Sequence, residues 1–574
     1  MDVAIVVLGS ALVVLTALNQ PYNQNEFVQT HAYGRSDLSD AVTATRQPPL
    51  DPLLGVAVER LLGQGHVEQR LVPIAAGIVT LVLTAVLLRR TGLRWAGTTG
   101  LLLLATAPLF LRYSGYGRPY ALPLALLMAC VVAGTLWLDT GRRRWLLAAT
   151  TAAVLLPVSR VPEPTAFLAA GMLLVLVGAY RRRWPRDRAW WLAASLGAGL
   201  ATAAAAAVPA LLAQGSTKQG SSLVDTDPAA ALDRVGPALT VLSEQVLPLY
   251  AEWLPWWPLV LVVLVLAVAV PVSRRHLLGG WYWLPLVLGT VGFLVAFVLL
   301  VPLGVRDYRI RYGYFVCPPL AVALAWVVHG LAQRSRVGAV VAALLAGSLV
   351  LSQLPTTWRV LTQDGAIDMA RAGQVVATHV PDDALVVFDG PGRAGEWRQD
   401  FFGKKTFLPP ETRIASARDL SRGRLPTSLE GPTYLLLMDA SCVSNVECAD
   451  RPADVWDGHL RGYREVARMQ HLVLYAPVRP VRGVTGLLRA MTSVVDGYGP
   501  RWAVTDAIVA ARVLKRRDRL AAASALLRGV CDGHPPTERR ACVVEVRKRK
   551  LGELLVPPAP GPVVSGLRVR RSPA

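Results

Sequence analysis

The sequence holds no Gly-rich phosphate loop and no H-E-x-x-H run, so two signatures of nucleotide-triphosphate and zinc-peptidase chemistry are missing. No internal repeat is present, which argues against the paired halves of many transporters. Cysteine is sparse, six in 574 residues and never in C-x-x-C spacing; with no histidine cluster beside it, zinc ligation is disfavoured. Lysine is scarcer than its partner in charge, six residues against 54 arginines. Apolar side chains are in excess. They make up 53% of the chain and give a mean hydropathy of +0.40, more than soluble chains of this length usually carry.

The apolar residues come in blocks of roughly 17 to 25, the length of a bilayer-spanning helix. Eleven blocks can be read: 3–20, 71–88, 95–111, 119–138, 145–158, 164–180, 189–213, 257–273, 281–303, 315–332 and 337–354, of which 145–158 is short. The first block lacks a basic n-region and a small-residue cleavage site before Pro21, so it is expected to be a retained helix.

The net charge of +21 raises the question of nucleic acid as a partner. The arrangement of the charge gives another reason for it. The links after blocks two, four, six, eight and ten read "RRTGLR", "DTGRRR", "RRRWPRDR", "SRRH" and "AQRSR". Short basic loops at every second connection mark the cytoplasmic side. The other connections hold most of the acids: Glu26, Asp37, Asp40, Asp51, Glu163, Asp225, Asp227 and Asp307. The expectation is a multi-pass plasma-membrane protein with a cytoplasmic N-terminus, an extracytoplasmic C-terminal half, membrane lipids around it and no nucleic-acid partner.

Three regions follow. Residues 1–354 form a membrane domain with long external connections at 21–70 and 214–256. Residues 355–480 read as a small α/β domain: "AIDMARAGQVVATHV" has helical spacing, and "ALVVFDG", "TYLLLMD" and "HLVLYAPV" are short strand runs. The stretch "GYREVARMQHLVLYAPV" reads as an antiparallel pair. Residues 481–574 read as short helices and a Pro-, Gly- and Arg-rich tail expected to be disordered. Cys130 and Cys317 fall in apolar blocks and read as inert. Cys442 with Cys448, and Cys531 with Cys542, are close pairs expected to form disulfide loops in an oxidising compartment.

Four clusters could carry chemistry. In "NQPYNQNEFVQTHAYGRSDLSD", Glu26, Asp37 and Asp40 are solvated loop acids or a general base, and Glu26, just beyond the first span, is the preferred base. In "TRQPPLDPLLG", Asp51 stands among three prolines as a catalytic acid, a metal ligand or a helix cap. In "LRYSGYGRPYALPL", Arg118 precedes a helix start and reads as an anion ligand, with Tyr120 beside it or serving as a membrane-belt anchor. In "LVPLGVRDYRIRYGYFVCPPLAVALAWVV", Arg306, Arg309 and Arg311 lie on the outer side, where the positive-inside rule does not call for them. With Tyr312 nearby they suit a lipid phosphate, which arginine grips with two parallel hydrogen bonds. An outward-facing site must draw on a donor already carried by lipid, and a polyprenyl-phosphate sugar fits.

Four short motifs carry a resemblance. "NE" at Asn25–Glu26 sits where an Asp-Glu pair follows span one in the GT-C superfamily of polyprenyl-phosphate-dependent glycosyltransferases. "QPPLDPLL" is similar to their "PPLYYLL", "GRPYALPLALLM" to "ARPYALLLLL", and "RIRYGYFVCPPLAVALA" to "RYFLFLLPPLALLLA". The superfamily includes aminoarabinose, protein mannosyl and actinobacterial arabinosyltransferases, and the arginine bias fits a GC-rich bacterial genome. Asn25 replaces the first acid of the pair, and Asp51 stands where relatives have Tyr. The resemblance implies an inverting transferase of about eleven spans with an outer C-terminal domain. It would move a hexosyl or pentosyl group (mannose, glucose and arabinofuranose are all open) to a cell-envelope glycan or lipid. Arg118, Tyr120, Arg306, Arg309, Arg311, Tyr312 and Lys218 would hold the donor phosphate. The base would be Glu26, or else Asp37, Asp40 or Asp51. No cofactor is required by the pattern, and a divalent cation stays open. A lipid-glycan flippase and a non-catalytic envelope-binding protein are the rival classes.

Overall fold

The computed structural model describes residues 1–20, 26, 33, 37–40, 48–63, 66–160, 162–180, 184–214, 314–333, 335–362, 369–389, 413–416, 431–438, 442–444, 447–448, 460, 462–469, 472–497, 507–508, 511–512, 514–515, 520–532, 536–548 and 550–555. The chain divides into two compact units. Residues 1–20 and 25–364 make the first, and residues 21–24 and 365–574 the second.

The first unit is helical. Its described helices are α1 (Asp2–Asn19), α2 (Leu50–Leu62), α3 (His66–Arg90), α4 (Arg94–Ala105), α5 (Pro108–Ser114), α6 (Ala121–Thr140), α7 (Arg143–Ser159), α8 (Pro162–Tyr180), α9 (Arg186–Gln214), α10 (Cys317–Ala332) and α11 (Arg336–Thr362). Among the described residues, six stretches are long and apolar enough to cross a bilayer: Asp2–Asn19, Val67–Arg90, Ala121–Thr140, Arg186–Ala206, Tyr314–Ala332 and Arg336–Thr362. Valines and leucines such as Val3, Val7, Leu173, Leu344 and Leu351 are exposed, as side chains facing lipid must be. The expected spans 257–273 and 281–303 lie outside the described residues.

Lipid offers helices no hydrophobic reason to associate, so close backbone packing at small residues takes over. A Cβ added to Gly9 would lie 2.9 Å from Ala105 Cβ, one at Gly100 would lie 2.6 Å from the Ala321 carbonyl, and one at Gly199 would lie 2.5 Å from the Ala153 carbonyl. Each glycine therefore seats a helix against its neighbour. Helix α10 is largely enclosed, with almost every residue from Cys317 to Val328 buried.

Block 95–111 differs from the expectation of one span. It breaks into α4 and α5, because Pro108 has no N–H to continue the ladder and starts a new helix at its first position. The break leaves carbonyls at the end of α4 unpaired within the helix. The Thr357 hydroxyl of α11 donates to the Thr106 carbonyl at 2.6 Å, and the Thr106 hydroxyl lies 2.9 Å from Gln353 Oε1. Helix α11 can supply these groups because it runs on through Pro355 to Thr362, beyond the apolar block that ends at 354.

The second unit holds α12 (Met369–His379), strands β1 (Leu385–Asp389), β2 (Arg413–Ser416), β3 (Thr433–Met438), β4 (Cys442–Ser444), β5 (Glu447–Cys448), β6 (Tyr463–Met469) and β7 (Leu472–Pro477), and helices α13 (Gly483–Gly497), α14 (Leu520–Asp532) and α15 (Pro536–Lys548). Five strands form a mixed sheet in the order β2-β1-β3-β7-β6. Strands β2, β1 and β3 run parallel, whereas β7 and β6 pair antiparallel, as the run ending "HLVLYAPV" implies. Leu487, Ala490 and Met491, at i, i+3 and i+4 of α13, cover Leu385, Val387, Leu435, Leu437 and Tyr475. The parallel strand β2 and the β4–β5 ribbon carry little apolar pattern and are additions to the sequence reading. Cys442 and Cys448 are direct register partners across that ribbon; their side chains lie outside the described part.

Cys531 of α14 and Cys542 of α15 are bonded, with Cα atoms 5.6 Å apart. This bond closes a short loop and ties two amphipathic helices into one buried cluster. Cys130 and Cys317 are free and buried. Cys531→Ser should cost about 3 kcal/mol, the loop-closure value for a loop of this size. Non-reducing peptide mapping should recover 531 and 542 cross-linked, and chemical unfolding of the variant should show the loss.

Candidate functional site

The C-terminus of α1, the N-terminus of α3, the α5–α6 turn and the C-terminus of α7 lie at one end of the first unit. Helix α2 packs against α3 and α7. At the centre of that end is Arg70, one turn inside α3 and only 2% exposed. Its Nε and Nη2 each donate to the Glu26 carboxylate at 2.9 Å, a parallel two-bond grip. Its Nη1 donates to the carbonyls of Ala17 at 2.5 Å and Gln20 at 2.6 Å. One guanidinium thus satisfies the orphan carbonyls where α1 ends and pins the loop that follows.

Glu26 is 1% exposed. Beyond Arg70, its Oε1 accepts the Gly117 N–H at 2.7 Å. A Cβ at position 117 would sit 3.0 Å from that oxygen, so the approach suits glycine. The carboxylate then fixes the α5–α6 turn. Two tight backbone bonds, Arg118 N–H to Tyr116 at 2.6 Å and Tyr120 N–H to Arg118 at 2.7 Å, shape that turn and leave Arg118 half-buried within it.

Aromatic rings fill the space beside the turn. Tyr113 meets Tyr116 at 5.7 Å, Tyr120 at 5.1 Å and Tyr314 at 6.0 Å, each edge-on. The Tyr314 hydroxyl is 3.0 Å from Ser114 Oγ, and its ring stacks on Phe110 at 5.9 Å. The guanidinium of Arg160, at the end of α7, lies 4.7 Å above the Tyr120 ring. Arg160 therefore meets Tyr120, two residues along the chain from Arg118.

Helix α2 brings a second acid. Asp51, Gly55 and Glu59 follow at spacings of four on its buried face. The Tyr33 ring lies on Gly55, where an added Cβ would come within 2.3 Å of it, and the Tyr33 hydroxyl is 3.4 Å from Asp51 Oδ2. Asp37 and Asp40 are exposed, and Asp37 Oδ1 accepts the Ser39 N–H at 2.8 Å. Among the described residues no group of three His, Cys, Asp or Glu side chains is placed to hold a metal. Lys218, Arg306, Arg309, Arg311 and Tyr312 lie outside the described residues.

Arg70, Arg160 and Glu59 escaped the sequence reading. Arg160 stands between two apolar blocks on the predicted outer side, the same anomaly that marks Arg306, Arg309 and Arg311. Arg70 opens an apolar block, where a charge needs a reason. Glu59 carried no signal beyond its spacing from Asp51.

Residues 46–207 match the family model described as dolichyl-phosphate-mannose-protein mannosyltransferase. The matched segment holds Asp51, Arg70, Arg118, Tyr120 and Arg160, and it covers less than a third of the chain. No curated protein matches significantly. Among solved structures, ArnT from Cupriavidus metallidurans bound to undecaprenyl phosphate aligns at 14% identity and a TM-score of 0.44. That alignment covers 83% of this chain and 97% of ArnT. The oligosaccharyltransferase AglB from Archaeoglobus fulgidus, in complex with an inhibitory peptide and a dolichol-phosphate, aligns at 11% identity and a TM-score of 0.43, over 76% of this chain and 69% of its own. Alignments this loose transfer neither a residue nor an activity.

The buried pair predicts its own cost. Arg70→Ala strands the Glu26 carboxylate and should destabilise the protein by about 3–5 kcal/mol. Arg70→Lys keeps the charge but loses the fork, so it should recover only part. Thermal unfolding of the three proteins in one detergent measures the order.

Proposed function

We propose that the protein is a membrane glycosyltransferase that takes its sugar from a polyprenyl-phosphate donor and passes it to a cell-envelope acceptor. The observation that carries this reading is the stacking of Arg160 on Tyr120, two residues from Arg118, in a turn held by the buried Glu26 carboxylate. The match of residues 46–207, which contain Arg118, Tyr120 and Arg160, to a polyprenyl-phosphate-dependent family supports it.

The reaction is a single displacement with inversion. An acid removes the acceptor's hydroxyl proton as the oxygen attacks the anomeric carbon. The bond from that carbon to the phosphate oxygen breaks, and polyprenyl phosphate leaves with the electron pair. Arg118 and Arg160 stabilise the charge that develops on the phosphate. Arg306, Arg309, Arg311, Tyr312 and Lys218 are proposed to join them on sequence grounds.

Asp51 is proposed as the base in preference to Glu26. Both oxygens of Glu26 are taken by Arg70, and one also by Gly117, so proton uptake there would undo the frame that shapes the site. Asp51 lies in the first turn of α2, where the helix dipole favours the ionised carboxylate, whereas Glu59 lies in the last turns, where it does not.

Asp51→Asn should lower turnover by about 10²–10⁴-fold while the fold and donor binding persist. Glu26→Gln should lose stability along with activity. The assay is transfer from a polyprenyl-phosphate sugar by purified protein, with thermal unfolding alongside. A stable, inactive Glu26→Gln protein beside an active Asp51→Asn protein would return the base to Glu26. Arg160→Ala and Arg118→Ala should each raise the donor KM, and unchanged donor kinetics in both would remove the phosphate site from this place.

A further inference from the structure

A second site lies toward the other end of the same unit. Helices α6, α8 and α9 line a part-open apolar pocket with a volume of about 60 Å³. Gly134, Leu138, Phe167, Gly171, Trp184 and Leu196 are among the residues that line it. The two glycines leave the space open, since added Cβ atoms would meet only Leu192 at 3.4 Å and Leu196 at 3.6 Å. The lining offers almost nothing polar. The Thr135 hydroxyl already donates to the Val132 carbonyl at 2.7 Å, and Cys130 is a buried thiol. Such a cavity accepts hydrocarbon and has no means to orient a sugar or a peptide.

The chemistry changes sharply at its end. Leu138 and Trp184 lie next to the α6–α7 and α8–α9 connections, which carry Arg142, Arg143, Arg144, Arg186 and Arg188. The first four are exposed. Arg188 donates to the carbonyls of Leu138 at 3.1 Å and Asp139 at 3.0 Å, closing the end of α6. Asp139 and Asp187 are the acids nearby, so cations prevail. Tyr180, Trp190 and Trp191 are exposed beside them, the aromatic signature of headgroup depth.

The geometry points to a structural lipid site: a segment of one acyl chain of an anionic phospholipid lies in this open pocket, with its headgroup among the arginines. This occupant follows from the apolar lining, the basic rim and the aromatic belt together. A zwitterionic lipid would satisfy the cavity and waste the rim. The site lies at the opposite end of α6 from Tyr120, so it is separate from the proposed donor site and does not depend on that reading.

The test uses the full chain in nanodiscs of phosphatidylcholine doped with a phosphatidylglycerol bearing a diazirine on its acyl chain. After irradiation, adducts should concentrate on segments 121–140 and 162–196. A phosphatidylcholine probe of the same tail should label them several-fold less. Gly171→Leu, which fills the cavity, should abolish the adducts. Gly171→Ala should keep them and serves as the control for folding. Equal labelling by the two probes, adducts elsewhere on the bundle, or undiminished labelling of a folded Gly171→Leu protein would each overturn the assignment. So would competition by unlabelled polyprenyl phosphate stronger than by unlabelled phosphatidylglycerol, because the cavity would then belong to the donor lipid.

Discussion

A single buried guanidinium holds one end of the helical unit together. Arg70 bonds to two carbonyls at the close of α1 and to both oxygens of Glu26, and Glu26 reaches Gly117. Five backbone and side-chain groups from three parts of the chain thereby depend on one side chain. Removing such a charge from water is expensive, and the return comes only because every oxygen it faces is an acceptor in good geometry. A bidentate pair with carbonyl partners also fixes direction. The turn that carries Arg118 and Tyr120 is thereby set relative to α1 and α3.

The bundle beneath obeys a different constraint. Helices in lipid approach one another where glycine and alanine allow, and interruptions of the helical ladder must be met by other polar groups. The Pro108 break shows both rules. It ends α4 early and lets α5 set off anew, so that Ser114 and Gly115 arrive against Tyr314 and Ala17. Its freed carbonyl is met by Thr357 from an otherwise apolar helix. The position of the tyrosine cluster thus follows from a proline more than ten residues from Tyr120.

Much of this was legible in the sequence, and the limits have physical causes. Apolar blocks located α1, α3, α6, α8, α9 and α10, because a spanning helix must be apolar along its length. They failed at 95–111, since hydropathy does not register a proline that splits a block without changing its polarity. The Arg118 and Tyr120 cluster was legible as a charge and an aromatic beside a helix start. Arg160 was equally visible but stood alone, and only its 4.7 Å approach to Tyr120 gives it meaning. The partner of Glu26 was not legible, because 44 residues separate it from Arg70 and no local pattern couples them. That gap hid the pair: a loop acid near a membrane gives no sign of a partner this far along the chain. In the second unit, β1, β3, β6 and β7 followed from their apolar runs, while β2 (Arg413–Ser416) is short and carries too little pattern to announce itself.

The arginines make the larger point. The chain has 54 of them, and composition alone would assign them one role. Those in the short links, such as Arg142, Arg143, Arg144 and Arg186, stand exposed in numbers, where each counts as charge and their exact partners matter little. Those at the opposite end are few and individually held. Arg70 is enclosed by four oxygens, Arg160 lies over an aromatic face, and Arg118 is fastened into a turn. Charge in quantity needs no fixed partner, whereas charge in fixed geometry shapes the backbone around it. The same residue type serves both ends because its stem tolerates apolar surroundings while its planar head can bond in several directions at once. Lysine could supply the first role, but its ammonium lacks the planar fork with which Arg70 holds both oxygens of Glu26.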